Sequence, residues 1–169
     1  MTDLAAELEP HTQALRRYAW ALLRNQDAAD DLVQDCLERA IGRWRLRRGD
    51  ASTRAWLLTM QRNLFLNDLR RRSRQGQHVG LDEAHGQAVV EGCAERRLLA
   101  CDALTALDGL SEDQRSLLLL VGVEDLSYAE AAAVFGVPEG TIMSRLSRAR
   151  AQLRRLIYGG ERVTLRRVK

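Results

Sequence analysis

Trp56, Thr59, Asn63, Asn67 and Arg70 recur at intervals of three and four residues. On a helix that spacing lines them up in one stripe. An indole face stacks on an unstacked base, amides bond its edges, and a guanidinium holds the backbone phosphate. Trp56 also has the ordinary reading of a core residue, since tryptophan is highly buried on average. A second set lies near the C-terminus, where Gly140, Ser144, Ser147, Arg148 and Ala151 share one helical face. Small and hydroxyl side chains there permit close approach to a duplex groove, and arginines at the edges pin phosphates.

The elements that must position the second set are legible. Leu126 to Leu156 reads as a helix-turn-helix. Ser127 with Glu130 three residues on forms a capping box for a first helix. Gly136 suits the left-handed position that ends it, and Pro138 suits the first turn of the next helix. Small Ala132 lets the helices approach, while Val137 and Ile142 fill the angle between them. Ile142, Leu146, Ala149, Leu153 and Leu156 make one apolar stripe on the second helix. Its charge is one-sided: Arg145, Arg148, Arg150, Arg154 and Arg155 stand against Glu139, a local balance of +4. A solvated helical hairpin would not need that bias, whereas a nucleic-acid footprint would.

For the first set, a helix over about Thr53 to Arg72 points Leu58, Phe65 and Leu69 one way and Leu57 and Leu64 at an adjacent angle. Much of its circumference is therefore buried, and the Trp56 to Arg70 stripe is what remains. Arg70, Arg71, Arg72 and Arg74 form a cationic clamp at the helix end, where positive charge also suits the dipole. An earlier helix, Ala28 to Trp44, puts Ala29, Val33, Cys36, Leu37, Ala40 and Trp44 on one side and Asp31, Gln34, Asp35 and Glu38 on the other. That acidic side is a solvated face or a dock for a basic protein surface.

The 169 residues allow one domain or two small ones, and 46% hydrophobic content supplies real cores. Only 5% is aromatic, so those cores are built from Leu, Ala and Val. With only Pro10 and Pro138 as helix breakers, the chain is expected to be all-α. The composition divides it into a helical domain over 1–73, a glycine-containing flexible linker over 74–93, a second helical domain over 94–160 and a basic tail over 161–169. The net charge of +3 hides strong polarisation. Segment 27–38 carries five acids and no base, 62–74 has a balance of +4, and 82–102 a balance of −3. Two basic blocks around an acidic one suggest two nucleic-acid contacts and another face for something else. No apolar run reaches the roughly 18 to 20 residues that span a bilayer, so no membrane insertion is expected. The acidic N-terminus is not a signal peptide, and the chain reads as cytoplasmic.

The segments 27–40, 54–72 and 110–154 together resemble bacterial sigma factors of the extracytoplasmic-function group, in that family's order and over about two thirds of the chain. The resemblance implies a promoter-specific initiation factor for core RNA polymerase, held in check by an anti-sigma factor. It implies that Asp31, Leu32, Val33, Gln34 and Asp35, with Glu38 on the same acidic face, dock on the largest polymerase subunit. It implies that Asp50, Ser52, Thr53, Trp56 and Asn63, with Asn67, Arg70 and Arg71 further along the same helix, meet the opened minus-ten element as single-stranded DNA. It assigns Thr141, Ser144, Arg145 and Arg148 to the duplex minus-thirty-five element, read in the major groove. The chain departs from the family at Asn67 and Gln61, where aspartate and alanine are common, and at Ser111, where a proline is usual and a helix cap is expected instead.

Other chemistry is poorly supported. Cys36 falls on an apolar face and reads as core. Cys93 and Cys101, with His85 nearby, raise a redox or zinc switch, but their spacing fits no usual zinc pattern. His11 and His78 have no evident chemical partners. No nucleophile–base set, phosphate loop or paired-carboxylate site is present, so neither catalysis nor a cofactor is expected. A self-sufficient repressor would use only the helix-turn-helix, and a sigma-like adaptor would not need the basic helices.

Overall fold

A computed structural model describes residues 4–47, 52–74 and 103–158. The described residues form helices and turns without strands. In order these are α1 (Leu4–Leu23), α2 (Gln26–Arg43), a 3-10 turn (Trp44–Leu46), α3 (Thr53–Arg74), helical residues 103–108 (α4), α5 (Glu112–Gly122), α6 (Tyr128–Phe135) and α7 (Glu139–Tyr158).

In the first half, α1, α2 and α3 pack on one another. Leu15, Tyr18, Cys36, Leu57 and Leu58 are each almost wholly buried, and full burial of each large apolar chain stabilises by about 1.5–3 kcal/mol. Asn25 starts α2, its side chain accepting from the Ala28 N–H at 2.9 Å. Ser52 starts α3 in the same way, its hydroxyl accepting from the Ala55 N–H at 3.4 Å. Pro10 lies inside α1 on an exposed position.

The second half confirms its local signals. Both Ser111 and Ser127 close complete capping boxes, with Gln114 and Glu130 respectively. Gly136 takes the left-handed conformation at φ 63°, with nothing near where a Cβ would stand, so backbone geometry alone selects glycine there. Pro138 stands one residue before α7, and its carbonyl accepts from the Thr141 and Ile142 N–H groups. The apolar stripe of α7 buries Ile142, Leu146 and Ala149, then runs out: Leu156 is 41% exposed.

The two halves are not separate bodies. Leu119, Leu120, Leu126 and Val134 join the cluster built by α1 to α3, while Leu117, Ala131, Ile142 and Leu146 form only a small core of their own. A unit this small buries little apolar area by itself, so it completes its burial on the neighbouring half. Polar contacts reinforce the seam. Tyr18 and Ser116 share a 2.5 Å hydrogen bond in the interior, and burial raises the Tyr18 hydroxyl pKa. The Arg115 guanidinium donates to the Leu22 carbonyl at 3.2 Å. The expected boundary at 73/74 falls at the end of α3. The expected linker over 74–93, the start of the second domain, and the tail lie outside the described residues apart from Arg74.

Candidate nucleic-acid interface

Helix α3 carries the first site because its other sides are occupied. Its buried residues are Ala55, Leu57, Leu58, Gln61, Arg62, Leu64 and Phe65. The remaining stripe faces out as the spacing requires. Asn63, Asn67 and Arg70 are exposed, and Trp56 and Thr59 are half-buried. The stripe floors an open groove of about 1130 Å³, walled on one side by Arg39 and Arg43 of α2 and on another by Ser111, Glu112 and Asp113 at the start of α5. Trp56 is both packed and partly accessible. It packs edge-on against Trp44 with centroids 6.0 Å apart, and it still lines the groove. A ring braced from behind in this way presents a rigid apolar surface to a base. Ser52 is exposed and Thr53 half-buried at the helix start, and Asp50 lies outside the described residues.

Arg71 does not belong with this stripe. It points into a separate groove with Asp31 and Asp35 and pairs with Asp68 at 2.8 Å, while Arg72 meets the same carboxylate at 2.7 Å. The run of arginines is therefore split by helix geometry: Arg70 goes to the stripe and Arg71 to the acidic side. Arg62, one of the residues behind the +4 balance of segment 62–74, is also drawn away from solvent. It is 8% exposed, pairs with Asp113, and lies 4.0 Å from the Phe135 ring centroid.

The acidic face of α2 is present, with Asp31, Gln34, Asp35 and Glu38 exposed and Gln34 donating to Glu38 at 2.9 Å. Leu32 and Val33 are buried at 9% and 4%. They lie beneath that face, because a helix cannot present five consecutive residues on one side. On α7, Ser144 and Arg148 are exposed and Thr141 and Arg145 half-buried, beside exposed Gly140 and Ser147. Ser144 donates to the Thr141 carbonyl at 3.0 Å and Arg148 to the Ser144 carbonyl at 3.4 Å, which stands the guanidinium along the helix face.

Several charged residues escaped notice in the sequence. Glu124 is fully buried and accepts from both Arg17 and Arg54, each at 2.8 Å. It is placed by the turn after α5, where its N–H bonds to the Leu119 carbonyl and Asp125 adopts φ 50°. A non-glycine residue in that conformation is uncommon. Gln61 is also fully buried and donates to the Leu15 carbonyl at 3.0 Å.

The Cys36 thiol is fully buried, weakly bonded to the Leu57 carbonyl at 3.5 Å, and pushed up to about 12 by burial. His85, His78, Cys93 and Cys101 lie outside the described residues. Among the described residues no group of histidines, cysteines and carboxylates could hold a metal ion, and no helix is long and apolar enough to cross a membrane.

Comparison with known proteins agrees with this arrangement. The family model described as the Sigma2 domain of PhyR matches residues 8–61, and that described as Sigma-70, region 4, matches residues 102–153. The ECF RNA polymerase sigma factor EcfG of Rhodopseudomonas palustris is 39% identical over 146 residues, covering 86% of this chain and 80% of that protein. The ECF RNA polymerase sigma factor SigC of Mycobacterium tuberculosis is 37% identical over 152 residues, with the same coverage of 86% and 80%. Among solved structures, the sigma factor RpoE of Bartonella quintana, in complex with the anti-sigma factor NepR, superposes with a TM-score of 0.78 at 35% identity, covering 95% of this chain and 100% of that one. With two region models in order and relatives of this identity over most of its length, the chain belongs to the extracytoplasmic-function RNA polymerase sigma factors.

Proposed function

We propose that this chain binds core RNA polymerase, opens the minus-ten element on the α3 stripe, and reads the minus-thirty-five element with α7. The observation that supports this most is the division of labour between two exposed surfaces. One is a braced indole with two amides and a cation over a groove, suited to unstacked bases. The other is a slim helix face of Gly140, Ser144, Ser147 and Arg148, suited to a major groove. Asp31, Gln34, Asp35 and Glu38 form the polymerase dock, with Leu32 and Val33 holding it from beneath. Thr53, Trp56, Asn63, Asn67 and Arg70 meet the melted strand, and Thr141, Ser144, Arg145 and Arg148 meet the duplex.

An anti-sigma factor controls the chain in this reading, as NepR binds the related RpoE. The chain acts in the cytoplasm where polymerase works, and it catalyses nothing itself. The match of residues 8–61 to a domain of PhyR raises a sigma-like adaptor that never touches promoters. The basic α7 face and the region 4 match at 102–153 favour the sigma factor.

The test is co-purification with core polymerase, followed by sequencing of run-off transcripts from fragmented genomic DNA. Stoichiometric binding with initiation at a shared two-part motif is expected. A folded chain that binds no polymerase would sink the proposal.

A further inference from the structure

One side chain on α7 has the wrong polarity for the solvent it meets. Met143 is the fifth residue of that helix and is 53% exposed, beside exposed Ser144 and Ser147. At about 100° per residue it stands about 40° from Ser147 and about 60° from Gly140 around the helix. It therefore sits on the rim of the face assigned above to the major groove. The other exposed large apolar chains of α7 are Leu156, Ile157 and Tyr158, at its far end. They lie about 20 Å away along the axis at ~1.5 Å per residue.

The neighbours of Met143 give it a direction. Its line along the helix continues through Ser147, Arg150 and Arg154, and all four share an open cleft with Tyr128 at the start of α6. The line runs from an apolar tip through a hydroxyl to two exposed guanidiniums. In a helix-turn-helix the N-terminal residues of the second helix reach base edges, while the first helix crosses the backbone. Met143 is among those N-terminal residues, and Arg150 and Arg154 are placed further along for phosphates.

A thioether donates nothing and accepts only weakly. A polar base edge pressed against it loses water and gains no partner. The major groove offers one apolar group, the C5 methyl of thymine. An unbranched side chain with three rotatable bonds can cover that methyl without a strict geometry.

We propose that Met143 is a specificity-determining residue for the upstream promoter element, packing its side chain on the C5 methyl of one thymine. It thereby selects an A·T pair, in one orientation, at a single position of that element. Ser144 and Arg148 supply polar contacts to the same groove, and Met143 supplies the apolar one. This deepens the sigma factor reading and rests on it.

Holoenzyme assembled from the full chain and core polymerase is bound to a promoter identified by run-off mapping. Each thymine of the upstream element, on either strand, is replaced in turn by deoxyuridine, which removes the methyl and keeps every hydrogen bond. The wild type should lose about fourfold in affinity at one position, the order for one buried methyl group. Met143→Ala should bind the unmodified promoter at least about fourfold more weakly and lose nothing further at that position. Because Met143 is exposed, its variant should keep the wild-type melting temperature. No sensitive position, or the same deoxyuridine penalty in both proteins, would overturn the proposal. A Met143→Ala defect in polymerase association before DNA is added would also overturn it, by making the side chain a protein contact. Failure of the wild type to form a holoenzyme would instead overturn the sigma factor reading, and the role of Met143 with it.

Discussion

Helices α3 and α7 are similar in length, at 22 and 20 residues, and both carry several arginines. Helix α7 buries Ile142, Leu146 and Ala149 along one line and leaves the rest to solvent. Helix α3 buries residues on several sides, including the polar Gln61 and Arg62. A helix with a single buried line declares its free face through periodicity. A helix clasped from several directions hides polar side chains whose partners lie far along the chain, and its charge no longer maps onto a binding surface.

The largest test of that contrast deletes the same side chain from both helices. Leu58→Ala, at a fully buried position of α3, should cost about 2–5 kcal/mol in denaturant unfolding. Leu156→Ala, at 41% exposure on α7, should cost less than about 1 kcal/mol, because little area is lost from the interior. Equal costs would erase the distinction. The second test asks whether the free faces differ in what they bind. Trp56→Ala should weaken holoenzyme binding to a melted minus-ten strand by about 1–3 kcal/mol, the range for one lost base stack. Arg148→Ala should weaken binding to the duplex upstream element by about 1–3 kcal/mol. A loss that Arg148→Ala shows equally on scrambled duplex would remove base reading from α7.

Asp31→Lys should lower polymerase association about tenfold while the melting temperature holds, since the residue is exposed. Unchanged association would take α2 out of the dock. Ser127→Ala, which opens a capping box of the helix-turn-helix, should cost about 1 kcal/mol by thermal melting.

The smallest expected effect is a loss of stability in acid. The Glu130 carboxyl is held below its usual 4.5 by the Ser127 N–H and then the Ser127 hydroxyl. Burial, then Arg54 and Arg47, holds His11 below its usual 6.5. Both groups bind protons more readily in the unfolded chain. Stability should therefore start to fall below about pH 6.5, and the Glu130 share should be lost below about pH 4.5. A flat melting temperature between pH 7 and pH 5.5 would remove the His11 contribution.

How much could be read in advance follows the same division. The helix-turn-helix was legible almost residue by residue, because Ser127, Glu130, Gly136 and Pro138 act within one or two turns of where they stand. The Trp56 to Arg70 stripe was legible because it repeats at helical spacing. The closed seam was not. Nothing near Glu124 announces Arg17, which lies 107 residues away in sequence. Arg62 looks like its neighbours in a basic run until Asp113 is brought beside it by folding. Likewise, Leu32 and Val33 are legible as buried only once the acidic residues around them are placed on the helix, since the linear motif carries both kinds.

Cys36 offers a use of its own. A thiol with no exposed surface and a pKa near 12 is neither nucleophilic nor reachable while α2 and α3 stay together. In a chain with Cys93 and Cys101 replaced by serine, the uptake of a thiol reagent would therefore keep time. Each labelling event would record one excursion of the first half from its folded state. The rate would give the lifetime of that core with no added probe.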